Sequence, residues 1–324
     1  MSLCNIEDLK QAGEIHTSVK QYILPLLYPD IKIIDICNLI ESKIAEEVNK
    51  TSSHQLNNGI AFPTGISINN IAAHYTPSFN EDTTIKINDV IKIDYGVHIN
   101  GNIIDSAFTI HFSNEYSQLL DASHEAVKGI IKNIGVDSRF GDLSKISQEI
   151  VESYEYKDTP LKVIDNLAGH NIKPWTIHAG KLLYGKPTNN PDYDDLKIDD
   201  GEVMAIEIFV SNGNGTTILD MNPVNHSHYM LKNGDEKIPL FQNKRTNQLI
   251  NDIKTNFNTL PFCPRFIDTI NGTHRNYTHN LQDLFNSGYI NSYPPLLETN
   301  LKSKVAQFEY TIYVSETKKI NFTE

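Results

Sequence analysis

The dipeptide Asn100-Gly101 lies between two segments that are rich in strand-forming residues, 90–98 and 102–112. An Asn-Gly pair in this setting is a strong signal for a β-hairpin with a two-residue turn. In such a hairpin Asp94 lies opposite Ala107, and Asp105 lies two residues from Ala107. Because alternate residues of a strand point to the same face, both aspartates share one face of the sheet. The sequence therefore predicts two neighbouring carboxylates on a largely apolar hairpin.

Two carboxylates on such a hairpin are costly if they are buried without a partner. Basic residues are scarce nearby, and Lys92 is expected on the opposite face. Asp94 and Asp105 alone fit two interpretations equally well. They are either exposed aspartates on a solvent-facing sheet or part of a metal site.

Two further segments, 203–211 and 304–315, are predicted strands, and each has a glutamate near its centre, Glu207 or Glu309. Glutamate is almost never fully buried unless it is paired. Four carboxylates on strand-like segments with few cations nearby need strong positive compensation. A pair of divalent metal ions is the most economical source of it. Candidate imidazole partners are His74, His170 and His178, and sequence spacing alone does not choose among them.

Amphipathic helices are predicted at 33–48, 116–131 and 140–154, where apolar residues recur every three or four positions. These helices are interleaved with strands that pair locally as hairpins. The pattern favours an α+β layered domain over a doubly wound parallel sheet. A more polar segment, about 215–295, contains predicted helices near 246–257 and 279–287. We expect this segment to be an insertion on one side of the main domain.

The charge balance excludes some classes of function. The chain has 324 residues, with 40 acidic side chains against 28 basic ones and a formal net charge of -12. Such a surface disfavours nucleic-acid binding through a basic face. No apolar stretch approaches the roughly 18 residues of a membrane span. The three cysteines form no disulfide framework, and the first residues do not resemble a secretory signal. We therefore expect a cytoplasmic protein that binds neither nucleic acid nor a membrane.

Several blocks resemble signature sequences of the type 2 methionine aminopeptidases, and they occur in the order that is found in that family. The longest block is 59–77, GIAFPTGISINNIAAHYTP. The others are KIDYG at 92–96, IDSAF at 104–108, AGH at 168–170, IHAGK at 177–181, EVMAIEIF at 202–209 and AQFEYT at 306–311. Together the blocks cover most of the chain. Departures from the family pattern are Asn171, Ile208 and Val210, which concern the surroundings of the ligands and the pocket shape.

The resemblance implies an α+β pita-bread fold. Residues 1–324 would form a single catalytic domain, with 215–295 as a helical insertion subdomain within it. It implies two divalent metal ions (Co, Mn, Fe or Zn) bound by five ligands, Asp94, Asp105, His170, Glu207 and Glu309. It assigns catalytic roles to His74, His178 and Glu207. It also implies a substrate site formed by Phe62, His74, Ile177, His178, Phe209, His228, Met230 and Tyr293.

The implied function is removal of the initiator methionine from nascent or newly made polypeptides by a hydroxide that bridges the two ions. The partners would be polypeptide N-termini that bear methionine. The protein would be a monomer, and association with ribosomes is left open. Two alternatives are an X-Pro aminopeptidase or prolidase-like hydrolase, and a noncatalytic relative of the same fold that binds partner proteins.

Overall fold

The computed structural model describes residues 4–49, 56–222, 225–232, 241–272 and 277–324. Eight α-helices lie in these ranges: α1 (Ile6–Ile23), α2 (Ile33–Asn49), α3 (Ser117–Asn133), α4 (Phe140–Glu152), α5 (Pro191–Asp194), α6 (Lys244–Asn256), α7 (Pro264–Asn271) and α8 (Thr278–Asn286). Short 3₁₀ turns follow α1 at Leu24–Leu26 and precede α3 at Asn114–Tyr116. The three helices predicted outside the insertion correspond to α2, α3 and α4.

The strands of the same ranges are β1 (Asn58–Ile68), β2 (Ile71–Ala73), β3 (Val90–Ile99), β4 (Asn102–His111), β5 (Glu155–Tyr156), β6 (Thr159–Pro160), β7 (Lys162–Val163), β8 (Ala168–Ile172), β9 (Leu182–Tyr184), β10 (Glu202–Ser211), β11 (Thr217–Leu219), β12 (His228–Leu231), β13 (Ile290–Tyr293), β14 (Leu296–Glu298), β15 (Val305–Val314) and β16 (Lys319–Asn321). One main sheet has the order β1-β3-β4. The other has the order β16-β15-β10-β8-β9, and β7 pairs with β10. The pairings of both sheets are antiparallel. The predicted α+β class is therefore confirmed.

The hairpin formed by β3 and β4 has the predicted register. Asp94 pairs with Ala107, and Gly96 pairs with Asp105. The turn residues Asn100 and Gly101 have φ angles of 50° and 79°. Positive φ at both central positions is the type I′ geometry that Asn-Gly adopts readily. The local turn therefore fixes which residues of the hairpin share a face.

Each main sheet is covered on one face by two helices. The stripe of α2 predicted from the sequence is buried against the first sheet and comprises Ile33, Ile36, Ile40, Ile44 and Val48. Helix α1 contributes to the same apolar cluster. Helix α3 buries its apolar face against β10 and β15 of the second sheet, and α4 packs against α3, β7 and β9. The two sheets meet where β4 contacts β15.

Residues 215–295 contain β11 to β13 and α6 to α8. Helices α6 and α8 correspond to the helices predicted in this segment, and α7 lies between them. Apolar side chains of this segment form a separate cluster: Tyr229, Leu231, Leu249, Ile250, Ile253, Phe262, Ile267, Tyr277, Leu281, Leu284 and Ile290. Within the described ranges, none of the helices combines the length and the apolar character needed to cross a bilayer.

Candidate metal centre and substrate pocket

The five predicted ligands come from both sheets and line one cavity. Asp94 and Asp105 come from the β3–β4 hairpin. Glu207 and Glu309 lie directly opposite each other on β10 and β15. His170 on β8 pairs with Ala205, two residues before Glu207, so that His170 and Glu207 share a face. Strand pairing thus brings together residues that are far apart in the sequence.

Threonine hydroxyls join the two sheets beside this cavity. Thr311 Oγ1 accepts a hydrogen bond from the Asp105 N–H at 2.8 Å and donates one to the Asp105 carbonyl oxygen at 2.6 Å. Thr109 Oγ1 accepts from the Gln307 N–H at 2.8 Å and donates to the Gln307 carbonyl oxygen at 2.6 Å. These paired bonds hold β4 and β15 at a fixed offset where the sheets meet.

Three of the predicted ligands form a compact group. Asp105, His170 and Glu309 each offer one ligand atom, and these atoms lie within 4.8 Å of one another. His170 Nε2 is 3.5 Å from Asp105 Oδ2, and all three residues are buried. Asp94 and Glu207 line the same cavity. Carboxylate oxygens with one imidazole are a suitable donor set for divalent Mn, Fe, Co or Zn.

The carboxylates repel one another in a poorly solvated site. Desolvation, followed by repulsion from neighbouring carboxylates, raises the pKa of Asp94, Glu207 and Glu309 well above their ordinary values. Burial raises the pKa of Asp105 to about 7. In the described part of the chain, the buried atoms Asp94 Oδ1 and Glu309 Oε2 have no hydrogen-bond partner. A divalent cation would satisfy these oxygens and offset the repulsion, so these residues fit a divalent metal.

The prediction that Lys92 lies on the face opposite Asp94 is wrong. In the register of β1 with β3, Lys92 and Asp94 are alternate residues and therefore lie on the same face. Lys92 is nevertheless not paired with a ligand, because its Nζ donates to the carbonyl oxygen of Asn69 at 2.8 Å. Burial lowers the pKa of Lys92 well below its ordinary value. Lys92 therefore does not compensate Asp94. The reason is that its ammonium group bonds a backbone carbonyl oxygen, and not that it lies on the opposite face.

Imidazole and phenol rings form another part of the cavity wall. The ring centroid of His74 is 5.9 Å from that of His228 and 5.8 Å from that of Tyr293. The ring of His178 meets that of His170 edge-on at 4.4 Å. Burial lowers the pKa of His74 to about 4 and that of His228 to about 3. The His178 ring lines the cavity, where desolvation and then the neighbouring His170 lower its pKa. The three rings are therefore neutral at pH 7.

The cavity has a volume of about 310 Å³, and its apolar lining includes Phe62, Ile177 and Phe209. All of the predicted site residues line it except Met230. Met230 packs against the large apolar cluster beneath α1 and α2. The cavity lining thus does not support the prediction that Met230 contributes to the pocket.

The sequence analysis missed several lining residues, of which Gln307 is the most informative. Its Nε2 donates to Glu207 Oε2 at 3.1 Å, and its own Oε1 is buried without a partner among the described residues. Gln307 lies two residues before Glu309 on β15. The alternation that grouped the aspartates would also have placed Gln307 on the face of Glu309.

Comparisons with known proteins show the family to which the chain belongs. A model of metallopeptidase family M24 matches residues 7–234. The methionine aminopeptidase 2 of Schizosaccharomyces pombe is 39% identical over 316 residues, which cover 96% of this chain and 71% of that protein. The fold and the carboxylate-rich site are those of a pita-bread metallopeptidase.

Two solved structures have the same fold at low sequence identity. A thermophilic Arx1 matches with a TM-score of 0.84 and 17% identity, covering 98% of this chain and 90% of that one. A methionine aminopeptidase from Thermotoga maritima matches with a TM-score of 0.65 and 18% identity, covering 98% and 96%. The chain belongs to metallopeptidase family M24 and, within it, to the type 2 methionine aminopeptidases. With its buried cluster of Asp105, His170 and Glu309, it binds divalent metal.

Proposed function

We propose that this protein hydrolyses the peptide bond after an N-terminal methionine and releases methionine from polypeptides. The observation that carries this function is the meeting of four carboxylates and one imidazole in a cavity whose lining also includes apolar side chains. The family relationship supports the same conclusion. The substrates are polypeptide N-termini that bear methionine.

The ligand set of this proposal is Asp94, Asp105, His170, Glu207 and Glu309, which hold two divalent ions, Co, Mn, Fe or Zn. When bound, such ions supply Lewis-acid activation of a water molecule and of the scissile carbonyl group. The unpartnered oxygens of Asp94 and Glu309 support the assignment. Elemental analysis of the freshly purified protein counts and identifies the ions. A content of one equivalent or less would contradict the dinuclear assignment.

Glu207 is our candidate for carrying a proton from the attacking water to the leaving amine. Its side chain is partly exposed to the cavity, whereas Asp105 and Glu309 are buried. The hydrogen bond from Gln307 Nε2 limits the orientations of the Glu207 carboxylate. A positioned carboxyl group contributes about 10²–10⁴ in rate as a general acid and base.

His74 and His178 are our candidates for hydrogen-bond donors to the substrate carbonyl oxygen. Each neutral imidazole has one N–H donor, and the lowered pKa values keep both rings neutral at pH 7. Donors that are held in place before the reaction stabilise the oxyanion as charge develops on it. His228 and Tyr293 face each other on β12 and β13 and support the position of His74.

Phe62, Ile177 and Phe209 form the proposed slot for the methionine side chain. An apolar, largely preformed cavity with a few polar groups at one end is the usual form of a small-ligand site. Its volume of about 310 Å³ is large enough for one amino-acid side chain and the first peptide bond.

We further infer that 215–295 is a helical insertion subdomain within a single catalytic domain of residues 1–324. Its separate apolar cluster supports this division. A monomeric state and a cytoplasmic location belong to the same proposal, and light scattering and cell fractionation test them. Ribosome association is tested by co-sedimentation with purified ribosomes.

The function is tested by mixing the purified protein with the peptides Met-Ala-Ser and Ala-Pro-Ala, with and without Mn or Co. We expect release of methionine from the first peptide and nothing from the second. Glu207→Gln is expected to lose at least about a hundredfold in turnover while it remains folded. The matched control is Glu125→Gln, which changes an exposed carboxylate on α3.

Each other outcome supports a different function. Release of alanine from Ala-Pro-Ala alone would support the X-Pro hydrolase. No release from either peptide with any metal would support the noncatalytic, partner-binding alternative. Turnover of Glu207→Gln close to that of the unchanged protein would contradict the role of Glu207 but not the substrate class.

A further inference from the structure

The segment between β8 and β9, residues 173–181, brings two residues to the cavity, and we call it the His178 loop. Ile177 and His178 both line the cavity. Among the described residues, no hydrogen bond to the His178 ring is found. The ring lies edge-on to that of His170 and is tilted by 51° to that of Tyr293, whose centroid is 6.0 Å away. The position of the His178 ring therefore depends on how firmly the backbone of the loop is held.

Asn171 on β8 holds the base of this loop. Its backbone carbonyl oxygen accepts a hydrogen bond from the Ala179 N–H at 2.9 Å, and its own N–H donates to the Lys181 carbonyl oxygen at 3.3 Å. Its side-chain Oδ1 accepts from the Lys181 N–H at 3.0 Å. Asn171 thus binds the strand that leaves the loop through both its backbone and its side chain.

Glu202, at the start of β10, joins both sides of this base. Its Oε1 accepts a hydrogen bond from Asn171 Nδ2 at 2.9 Å. Its Oε2 accepts from Lys181 Nζ at 2.9 Å. The side chain of Glu202 is only 8% exposed, against 20% for that of Lys181. One poorly solvated carboxylate therefore connects the two residues that close the loop, and charge-assisted bonds of this kind are among the stronger ones.

Trp175 fixes the opposite end of the loop. Its N–H donates to the Gly101 carbonyl oxygen at 2.9 Å, and its carbonyl oxygen accepts from the Thr259 hydroxyl at 2.6 Å. A Cβ atom at Gly101 would lie 2.2 Å from Trp175 Nε1, so the ring is packed directly on the β3–β4 turn. The loop is thus held at two ends, and His178 lies between them.

We propose that Glu202 is a positioning residue for the hydrolysis, because it clamps the base of the His178 loop and thereby holds His178 at the substrate. Glu202 itself does not line the cavity. The proposal rests on the proposed function, in which His178 donates a hydrogen bond to the substrate. Displacement of a positioned group by about 1 Å can cost on the order of 10²-fold in rate.

The test compares Glu202→Ala with Glu202→Gln. The alanine variant removes the two bonds from Asn171 and Lys181 and also the bond that Glu202 Oε2 accepts from the Asp199 N–H at 2.8 Å. The glutamine variant keeps an acceptor oxygen for Asn171. The matched control is Asp199→Asn. Asp199 is the other carboxylate on Lys181 Nζ, at 2.8 Å, but its side chain is 76% exposed. Three quantities are measured: kcat and KM for Met-Ala-Ser with Mn, the affinity for Mn by electron paramagnetic resonance of the free ion, and acrylamide quenching of Trp175. Trp175 is the only tryptophan in the sequence, so its fluorescence reports on the loop alone.

We expect Glu202→Ala to lose about 10- to 100-fold in kcat, with KM and Mn affinity within about threefold of the unchanged protein. Its quenching constant should rise by about twofold or more, because the loop loosens around Trp175. Glu202→Gln should recover most of the lost kcat, and Asp199→Asn should behave as the unchanged protein does. If Glu202→Ala does not fold, Glu202→Asp takes its place, because the shorter side chain cannot reach both partners.

An unchanged kcat in Glu202→Ala would overturn the proposal. So would a loss that is matched by an equal loss of Mn affinity, since Glu202 would then act on the metal centre and not on His178. If the unchanged protein releases no methionine, the proposed function fails. Acrylamide quenching of Trp175 then tests by itself whether Glu202 holds the His178 loop. Equal quenching constants in the variant and the unchanged protein would then reject it.

Discussion

Replacing Thr311 with valine tests how the two sheets hold the metal centre. Thr311 is fully buried, and its hydroxyl bonds both the N–H and the carbonyl group of Asp105. Counted from the Asn100-Gly101 turn, Gly96 and Asp105 form a non-hydrogen-bonded pair of the antiparallel ladder. The backbone groups of Asp105 therefore point away from β3, and Thr311→Val leaves both of them without a partner.

The expected magnitude follows from these two groups. An unsatisfied buried donor or acceptor costs about 1–3 kcal/mol, so Thr311→Val should lower the free energy of unfolding by about 2–6 kcal/mol. Valine has nearly the volume of threonine, so little of this loss comes from a cavity. Asp105 is also a proposed metal ligand, and loss of an outer partner of a metal ligand weakens metal affinity by about 10- to 100-fold. We expect Thr311→Val to show both effects.

Urea unfolding and Mn titration measure the two effects, and Ser123→Ala is the matched control. The Ser123 hydroxyl also bridges two buried backbone groups, donating to the Ile208 carbonyl oxygen at 2.7 Å and accepting from the Phe308 N–H at 3.0 Å. It lies on α3, outside the cavity lining. We expect Ser123→Ala to lose stability but not Mn affinity. Neutral surface substitutions change the free energy of unfolding by less than about 0.5 kcal/mol. A change this small in Thr311→Val would refute the reasoning.

Three further predictions concern other positions. Burial lowers the pKa of His16 from 6.5 to about 3, so the unfolded chain takes up a proton that the folded state refuses. The stabilisation is complete above pH 6.5 and is lost as the pH falls towards 3, by up to about 1.4 kcal/mol per pH unit. His16→Phe should flatten the pH dependence of urea unfolding by that amount, and parallel curves would contradict this. Gly101→Ala should destabilise the protein by about 1–3 kcal/mol and shift Trp175 fluorescence, since the new Cβ meets the ring. In the control Gly272→Ala, Gly272 also has a positive φ, but its new Cβ meets no atom of the described residues within 4 Å. An equal loss of stability in both variants would show that backbone strain, and not the contact with Trp175, is the cause. A spiro-epoxide of the fumagillin class should alkylate His74, whose imidazole is neutral at pH 7. Intact-mass analysis should find one adduct and none in His74→Asn, and an adduct elsewhere would count against the pocket.

The parts of the fold that were predictable have local causes. The Asn100-Gly101 turn sets the hairpin register, and the apolar spacing of α2 marks its buried face. Strand β1 has no such pattern, because its pairing with β3 is interrupted by register shifts around Phe62 and Gly65. Helix α1 was not predicted either. Its buried face includes the polar residue His16, which weakens the apolar stripe.

The predicted ligands are also divided between those that a local pattern brings together and those that only long-range strand pairing brings together. Alternation in the hairpin placed Asp94 and Asp105 together, but nothing local indicates that Glu207 faces Glu309. That pairing brings together two strands that the segment 215–295 separates in the sequence, and many registers would satisfy the local pattern of each strand. The choice of His170 came from a family resemblance, and the pairing of β8 with β10 places His170 on the face of Glu207.

The sequence by itself determined the hairpin, the faces of its helices and the excess of carboxylates on strands, because turn geometry and side-chain alternation act over a few residues. The tertiary structure decided which carboxylates meet, where the ammonium group of Lys92 points and how the His178 loop is clamped. These features depend on contacts between distant segments. Such contacts form only when the whole chain buries its apolar surface, so no local pattern encodes them.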